Sequence, residues 1–364
     1  MAVAVSMLRW GLDTRACRAV KEHRDSWPAQ PDLWLTWLAD RIEIPAWERA
    51  SRFANARARA RERLAAGGRA GLTVLPWFDV AYPALLGTIV DPPIVLWTSG
   101  DATSLSSTAV AVVGSRCATP AGLTVARKLG AELADAGLVV VSGMARGVDA
   151  AAHTGCLDAG GKTVAVLGCG ADVVYPYEHR ALTSRAREAG AIVSEFPPGT
   201  PPLKHHFPMR NRIISGLCRA VVVIEASEKS GSLITAKAGL EQGREVLAVP
   251  GNVVSDRYRG SHALIKDGAR LVETVDDVLD EIGWIRPRRV APKIASNCLE
   301  ISTLEEVMAV GEAYSVDDLA RATGRSASEI LAELGDLELA GRLSRSPGGR
   351  FLRLDESAIG GGRS

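Results

Sequence analysis

Six short runs of Val, Ile, Leu and Ala, at residues 109–113, 138–141, 163–167, 191–193, 220–224 and 245–249, constrain the fold more than any other feature. They lack the apolar–polar alternation of a half-exposed strand, so each reads as a strand covered on both faces. Between them, residues 121–136, 150–159, 180–189 and 233–242 read as helices. The alternation predicts an α/β fold, a parallel sheet with helices on both sides. Ligands of such sheets sit at the carboxyl ends of the strands, where the glycine-rich turns of this chain fall.

Charge is balanced. The 364 residues hold 43 Lys and Arg against 42 Asp and Glu, a net charge of +1. That excludes a nonspecific nucleic-acid coat protein, because counterion release needs clustered positive charge. Any polyanion must be held by a local patch. With 47% hydrophobic and 23% charged residues, the chain can bury real cores, and at ~100–200 residues per domain it fits two or three of them. No stretch approaches the ~18 apolar residues of a membrane span, and the start lacks a basic segment before its short apolar run, so no membrane role and a cytoplasmic location are expected. The six cysteines contain no C-x-x-C pair, so neither a disulfide framework nor a zinc site is signalled. His153 and Cys156 form an H-x-x-C pair without two further ligands nearby.

The ends differ from the middle. Residues 1–75 carry 13 basic and 8 acidic side chains, 76–286 carry 20 and 22, and 287–364 carry 10 and 12. Trp10, Trp27, Trp34, Trp37 and Trp47 all lie in the first fifty residues, and from about residue 33 to 66 the pattern reads as helices. There Arg57, Arg59, Arg61 and Arg63 recur every second residue, which spreads them around a helix: a solvated surface, or a nucleic-acid contact. After an Arg/Pro-rich linker, helices at about 299–309, 316–322 and 328–340 precede two short strands around Pro347-Gly348-Gly349. Three helices and a hairpin make a winged helix-turn-helix.

The turns carry the candidate chemistry. Gly114-Ser115-Arg116 ends the first of the six strands, with Thr119 as N-cap and Pro120 at the first helical position. Free N–H groups, a hydroxyl and a guanidinium converging there would suit a phosphate. In Ser142-Gly-Met-Ala-Arg-Gly-Val-Asp149, Gly143 and Gly147 would let backbone approach a ligand closely, beside Ser142 and Arg146. Gly168-Cys-Gly-Ala-Asp-Val173 lacks the third glycine of the dinucleotide fingerprint, and no Walker motif occurs, so no cofactor is expected. Asp149 and His153 stand one helical turn apart, where an N-capping Asp and a structural or DNA-facing His compete with an acid–base dyad. Cys169, between glycines, is a candidate reactive thiol. Ser230-Gly231-Ser232 opens another helix with hydroxyls and N–H groups.

The twenty-nine residues 196–224 contain no Asp or Glu. Within them Lys204-His-His-Phe-Pro-Met-Arg-Asn-Arg212 interleaves cations with a ring. Lys204, Arg210 and Arg212 could neutralise phosphates while Phe207 stacks on a base, as in single-strand binding; the alternative is a basic loop folded on the sheet with Phe207 in the core.

These motifs, together with Asp79-Val-Ala-Tyr-Pro83, Asp91-Pro-Pro93, Tyr175-Pro176, Ser194-Glu195, Phe207-Pro-Met-Arg-Asn-Arg-Ile-Ile214, Ser230-Gly-Ser-Leu-Ile-Thr235, Ala248-Val-Pro-Gly251 and Leu264-Ile-Lys-Asp-Gly-Ala269, run in an order that resembles the DNA-processing protein A (DprA/Smf) family. The resemblance implies an N-terminal helical SAM-like module at 1–70, an extended Rossmann-like DNA-binding domain at 72–284, a linker at 285–295, a winged helix at 296–357 and a disordered tail at 358–364. It implies a homodimer that binds single-stranded DNA, protects it, and delivers it to the recombinase RecA during natural transformation. Carried onto this chain, Gly114, Ser115 and Arg116 would hold a phosphate, Lys204, Phe207, Arg210, Asn211 and Arg212 the neighbouring backbone and base, and the loops at 142–147 and 230–232 would complete the pocket. Leu264 and Ile265 are candidates for the dimer interface. His179 and His262 replace asparagines common in the family and would sit at the pocket rim.

No nucleophile is paired with a base, which favours binding over turnover. A nucleoside monophosphate phosphoribohydrolase of related fold is the alternative, but the corresponding loop, Ser230–Lys237, lacks the catalytic glutamate of that family, and the nearest downstream acid is Glu241. A transcription regulator is a third reading. The last helix, with Glu329, Glu333, Asp336 and Glu338 and no Lys or Arg, suits the major groove poorly, and the cations lie in the hairpin at Arg342, Arg345, Arg350 and Arg353.

Overall fold

The structure, a computed structural model, describes residues 33–41, 44–286, 304–309, 313–323, 325–339, 342–346 and 350–353, with a few single positions before residue 33. Trp10, Trp27, the linker from residue 287, residues 299–303 of the expected first winged-helix helix, and the tail at 358–364 lie outside the described residues. The chain divides into two compact units, residues 1–288 and 289–364.

In the first unit nine strands form one sheet: β1 (Thr73–Pro76), β2 (Val95–Gly100), β3 (Ala109–Gly114), β4 (Val139–Ser142), β5 (Thr163–Val166), β6 (Ala191–Ser194), β7 (Ala220–Ile224), β8 (Glu245–Ala248) and β9 (Arg270–Leu271). Their order is β1-β2-β6-β5-β4-β3-β7-β8-β9. From β6 to β9 all neighbours are parallel; β1 and β2 join antiparallel at the β6 edge. The six apolar runs are six of the seven parallel strands. β1, β2 and the two-residue β9 carry no comparable signal.

The apolar runs are strands because both of their faces are covered. Along β3, Ala109, Ala111 and Val113 face a core with Ile213 and Ile214, while Val110 and Val112 face another with Leu129, Leu133, Val148 and Ala152. Burying each such Val or Leu contributes about 1.5–3 kcal/mol. The helices that cover the sheet on the second face are α4 (Pro120–Asp135), α5 (Val148–Asp158) and α10 (Val275–Glu281); on the first, α3 (Ala84–Gly87), α7 (His206–Gly216) and α8 (Ser232–Glu241). The helices α6 (Arg180–Ala189) and α9 (Arg259–Lys266) also pack on the sheet, Ala186 beside Ala165 and Ile192 and Leu264 against the core of the first face.

Two N-terminal helices, α1 (Trp34–Arg41) and α2 (Ala46–Arg69), share a core with the sheet: Trp34, Leu35, Leu38 and Ala60 pack in one cluster with Trp97, Ala165 and Ile192. On α2 the buried positions are Ala56, Ala60 and Gly67, one stripe of the helix. Arg57, Arg59 and Arg61 are exposed, and Arg63 donates to the Pro198 carbonyl at 3.1 Å.

Because β3 and β7 are neighbours, the chain leaves β3 toward β4 on one side and β7 toward β8 on the other. The two loops diverge and open a crevice at the strand ends.

The second unit contains α11 (Leu304–Val307), β10 (Ala313–Tyr314), α12 (Val316–Thr323), α13 (Ala327–Leu339), β11 (Leu343–Ser346) and β12 (Arg350–Arg353), with sheet order β10-β12-β11. Its core is Leu304, Met308, Leu319, Ile330, Leu334, Leu343 and Phe351. Ser315 with Asp318 and Ser326 with Glu329 form reciprocal caps at the starts of α12 and α13. Among the described residues no helix is long and apolar enough to cross a membrane.

Candidate functional site

Gly114 closes β3 where a side chain would not fit: a Cβ there would lie 1.9 Å from the Ile224 carbonyl oxygen. The crevice beside it is a cavity of about 630 Å³. Gly114, Ser115, Arg116 and Cys117 line it from the β3–α4 loop, Lys204, Phe207, Pro208, Arg210 and Asn211 from the entry to α7, and Ser227, Ser230, Gly231 and Ser232 from the start of α8. Ten of the fifteen residues singled out for phosphate or strand binding therefore meet in one place.

Arg116 and Lys204 are exposed, and neither has an ion-pair partner among the described residues. The half-buried ring of Phe207 lines the same cavity, with the Arg116 Cζ 5.3 Å and the Arg210 Cζ 6.0 Å from its centroid and the Tyr175 ring 5.6 Å away. In the sequence the Tyr175-Pro176 pair marks this position but nothing points to the ring as part of the site. Beyond Phe207 a second cavity of about 200 Å³ shares Arg116, Cys117, Ala145, Tyr175 and Phe207 with the first and adds Met144, Leu167, Cys169 and Pro176. At the start of α8, the Ser230 and Ser232 hydroxyls are 2.7 Å apart, Asn211 Nδ2 donates to the Gly231 carbonyl at 3.3 Å, and the Gly231 N–H makes no hydrogen bond among the described residues.

Arg210 forms the floor. It is 4% exposed, donates from Nη1 to the carbonyls of Gly143 (2.8 Å) and Val166, and from Nε to Asn211 Oδ1 at 3.0 Å. Burial pulls its pKa down to about 10 and the nearby Asp149 opposes that, so the guanidinium stays charged. Asp149, whose carboxyl is pushed upward by burial against the pull of Arg210, accepts the Gly143 and Ala145 amides at 3.1 and 3.2 Å. It ties the turn ahead of its helix rather than capping α5, whose N-cap is Gly147.

The remaining five named residues have other tasks. Arg212 lies two positions from Arg210 on α7, so about 200° around the helix. Its guanidinium pairs with both Glu195 oxygens at 2.6 and 2.7 Å and with the Asp91 carbonyl at 3.0 Å, away from the cavity. Burial works against this charge, but the Glu195 carboxylate outweighs it and holds the pKa above its ordinary value. The segment, for which a basic loop was the alternative reading, is helical, and Pro208 is tolerated because it falls in the first turn, where a missing N–H costs nothing. Ser142 is buried and donates to the Val112 carbonyl at 2.7 Å. Gly143 gives its side-chain space to Arg210, whose Nη2 would lie 2.1 Å from a Cβ, and Gly147, at φ +76°, gives its space to the Ser115 carbonyl at 2.2 Å. These glycines admit protein groups where a ligand had been expected. Arg146 is exposed, pairs with Glu178, and lines only the smaller cavity.

The start of α4 departs from expectation as well. Thr119 is the N-cap, accepting the Gly122 N–H, but the Thr119 and Ser115 N–H groups are already taken by Glu225, through its carboxylate and its carbonyl respectively. An anion held by Gly114-Ser115-Arg116 therefore finds the Ser115 and Thr119 N–H groups already engaged. His153 pairs with Thr163 Oγ1 at 2.7 Å instead of Asp149, so no dyad forms. Cys169 is 1% exposed and burial pushes its thiol up to about 12, which makes it inert. His179 meets the Met144 carbonyl at 3.0 Å and His262 the Gly251 backbone at 3.1 Å, and neither lines either cavity. Leu264 and Ile265 are half-buried, with Leu264 packed against the sheet core. Among the described residues no His, Cys, Asp or Glu cluster is arranged for a metal.

The family model described as DNA recombination-mediator protein A matches residues 73–283, and that of the DprA winged helix domain matches residues 309–349. The chain belongs to the DprA/Smf family. It is 40% identical to Protein Smf of Escherichia coli over 289 residues, 77% of each chain, and 46% identical to the DNA processing protein DprA of Streptococcus pneumoniae over 203 residues, 56% of this chain and 72% of that one. Among solved DprA structures, that from Streptococcus pneumoniae superposes with a TM-score of 0.67 at 37% identity, over 76% of this chain and 95% of that one. DprA from Helicobacter pylori, whose structure concerns its single-stranded DNA binding mode, superposes with a TM-score of 0.53 at 27% identity, over 58% and 95%.

Proposed function

We propose that this DprA/Smf chain binds single-stranded DNA in the cavity between the β3 and β7 loops and acts without covalent chemistry. What carries the reading is that two exposed cations, Arg116 and Lys204, neither of them ion-paired among the described residues, line one cavity with the Phe207 ring. Two cations suit phosphates, and a ring suits one unstacked base of any identity. The single-strand binding of the Helicobacter pylori relative supports it. The test is affinity for an oligonucleotide across salt. Arg116→Ala and Lys204→Ala should each weaken binding and lower the magnitude of the log–log salt slope by roughly 0.7. Wild-type affinity in both variants at every salt concentration would remove the cavity from consideration.

We assign to the same complex the protection of incoming strands, their delivery to RecA, and a homodimer that tethers a longer strand by effective concentration. Sedimentation with and without DNA tests the dimer, and RecA filament formation on coated strands tests the delivery. The phosphoribohydrolase alternative finds little support: Asp149, the carboxylate lining the cavity, is occupied with two amides, and Glu241 lies at the end of α8 beside Lys237. Release of free base from nucleoside monophosphates would reverse that judgement.

A further inference from the structure

Glu225 follows β7 and is fully buried, with φ +48°, in the left-handed region that a non-glycine residue enters only when its surroundings impose it. Its side chain reaches the loop that carries Arg116. The Thr119 N–H donates to both carboxylate oxygens at 3.1 and 2.9 Å, and Thr119 Oγ1 donates at 2.7 Å. The Tyr258 hydroxyl adds a contact at 3.5 Å and the Arg257 guanidinium one at 3.6 Å. At the other end of the same loop, the Glu225 carbonyl accepts the Ser115 N–H at 2.9 Å. Gly122 leaves the necessary room, since a Cβ there would lie 2.4 Å from Glu225 Oε2. In the middle, Arg257, itself against the Glu225 carboxylate, donates to the Cys117 carbonyl at 2.6 Å.

One buried residue thus fastens both ends of residues 115–119 and lies behind the group that fastens the centre. Arg116, by contrast, has no ion pair among the described residues to hold it; its position follows from the backbone on either side. We propose that Glu225 is the positioning residue of the strand grip: it fixes the β3–α4 loop so that Arg116 stands over Phe207 before DNA arrives. The left-handed turn is what lets one residue present its carbonyl to Ser115 and its carboxylate to Thr119 together. This rests on the reading of the cavity as the strand-binding site.

The distinction from a general structural role is selectivity. A loop-positioning residue is coupled to Arg116, which the loop carries, and not to Lys204, which comes from the entry to α7. The experiment measures single-strand affinity by fluorescence anisotropy of a labelled oligo-dT, using the full chain with Glu225→Ala alone and combined with Arg116→Ala or with Lys204→Ala. Glu225→Ala should weaken binding about tenfold, in the range of coupled neighbours. The Arg116→Ala/Glu225→Ala chain should bind no worse than Arg116→Ala, while the combination with Lys204→Ala should show the product of the two losses. Equal additivity in both pairs, or no loss in Glu225→Ala, overturns the proposal while leaving the cavity reading standing. Should Glu225→Ala fail to fold, Thr119→Val, which removes the hydroxyl bond to Glu225 together with the cap on the Gly122 N–H at the start of α4, takes its place in the same two cycles with the same expected asymmetry. Unchanged affinity in both Arg116→Ala and Lys204→Ala overturns the cavity reading and this inference with it.

Discussion

Arg116 and Arg212 look alike in the sequence and do opposite work. The first stands free at the cavity; the second is half of a buried pair with Glu195, whose side chain is 3% exposed. Removing Arg212 takes a bidentate countercharge from a buried carboxylate, so Arg212→Ala should cost about 3–5 kcal/mol in urea unfolding, while Arg116→Ala stays within about 0.5 kcal/mol of wild type. His153 offers a pH test. Burial, with Arg210 and His179 adding to it, lowers its pKa from 6.5 to about 3, and its Nε2 has no hydrogen-bond partner among the described residues. The unfolded chain takes up this proton below pH 6.5 and the folded one only near 3. Stability from this site is therefore complete above 6.5 and lost as pH falls toward 3. Asp149, raised by burial, works in the other direction, and a comparison of two chains that both contain it isolates His153. In His153→Leu, the fall in unfolding free energy between pH 7 and 4.5 should be smaller by about 2 kcal/mol. The types of residue at the site were legible in the sequence. What each faces was not, because Arg210 and Arg212 share a composition signal and differ by 200° on a helix that reads as a loop.

At the scale of elements, periodicity worked where burial was two-sided and failed where it was not. The strands at 109–113 and 220–224 announce themselves because both faces of each are apolar. β1 and β2 form an antiparallel margin, and Trp97, although wholly buried, sits in a run with Thr98 and Ser99 that carries no such pattern. α7 was hidden by Pro201, Pro202 and Pro208 and by its cations. The long α2 supplies a matched pair of tests. A Cβ at Gly67 would lie 2.6 Å from the Trp97 ring, whereas one at Gly68 meets nothing within 4 Å. Gly67→Ala should destabilise by about 1–3 kcal/mol, and Gly68→Ala should stabilise by about 0.5–1 kcal/mol, both read from thermal unfolding. Equal shifts of the same sign would contradict the packing of α2 on the sheet.

For the whole molecule, each of the two units has a hydrophobic core of its own. Calorimetry of the full chain should therefore resolve two transitions, and a chain shortened to residues 1–288 should keep the larger one and its affinity for single strands. In the second unit Glu333 is paired with Arg325 and Arg353 reaches the Met308 carbonyl, while Arg350 is exposed. Any duplex affinity lost on shortening the chain then belongs to the hairpin more than to α13. The balanced charge total also becomes intelligible at this scale: among the described residues many cations are matched, like Arg212, or lie on helix surfaces, like Arg57, and the proposed grip needs only a few that are not. One consequence concerns competitors. Because the Glu225 carboxylate occupies the start of α4, where a Rossmann-like sheet commonly seats a pyrophosphate, a free dinucleotide meets a charge of its own sign there. For the single strand of the proposed function, this leaves the phosphate contacts to side chains such as Arg116 and Lys204, away from the start of α4.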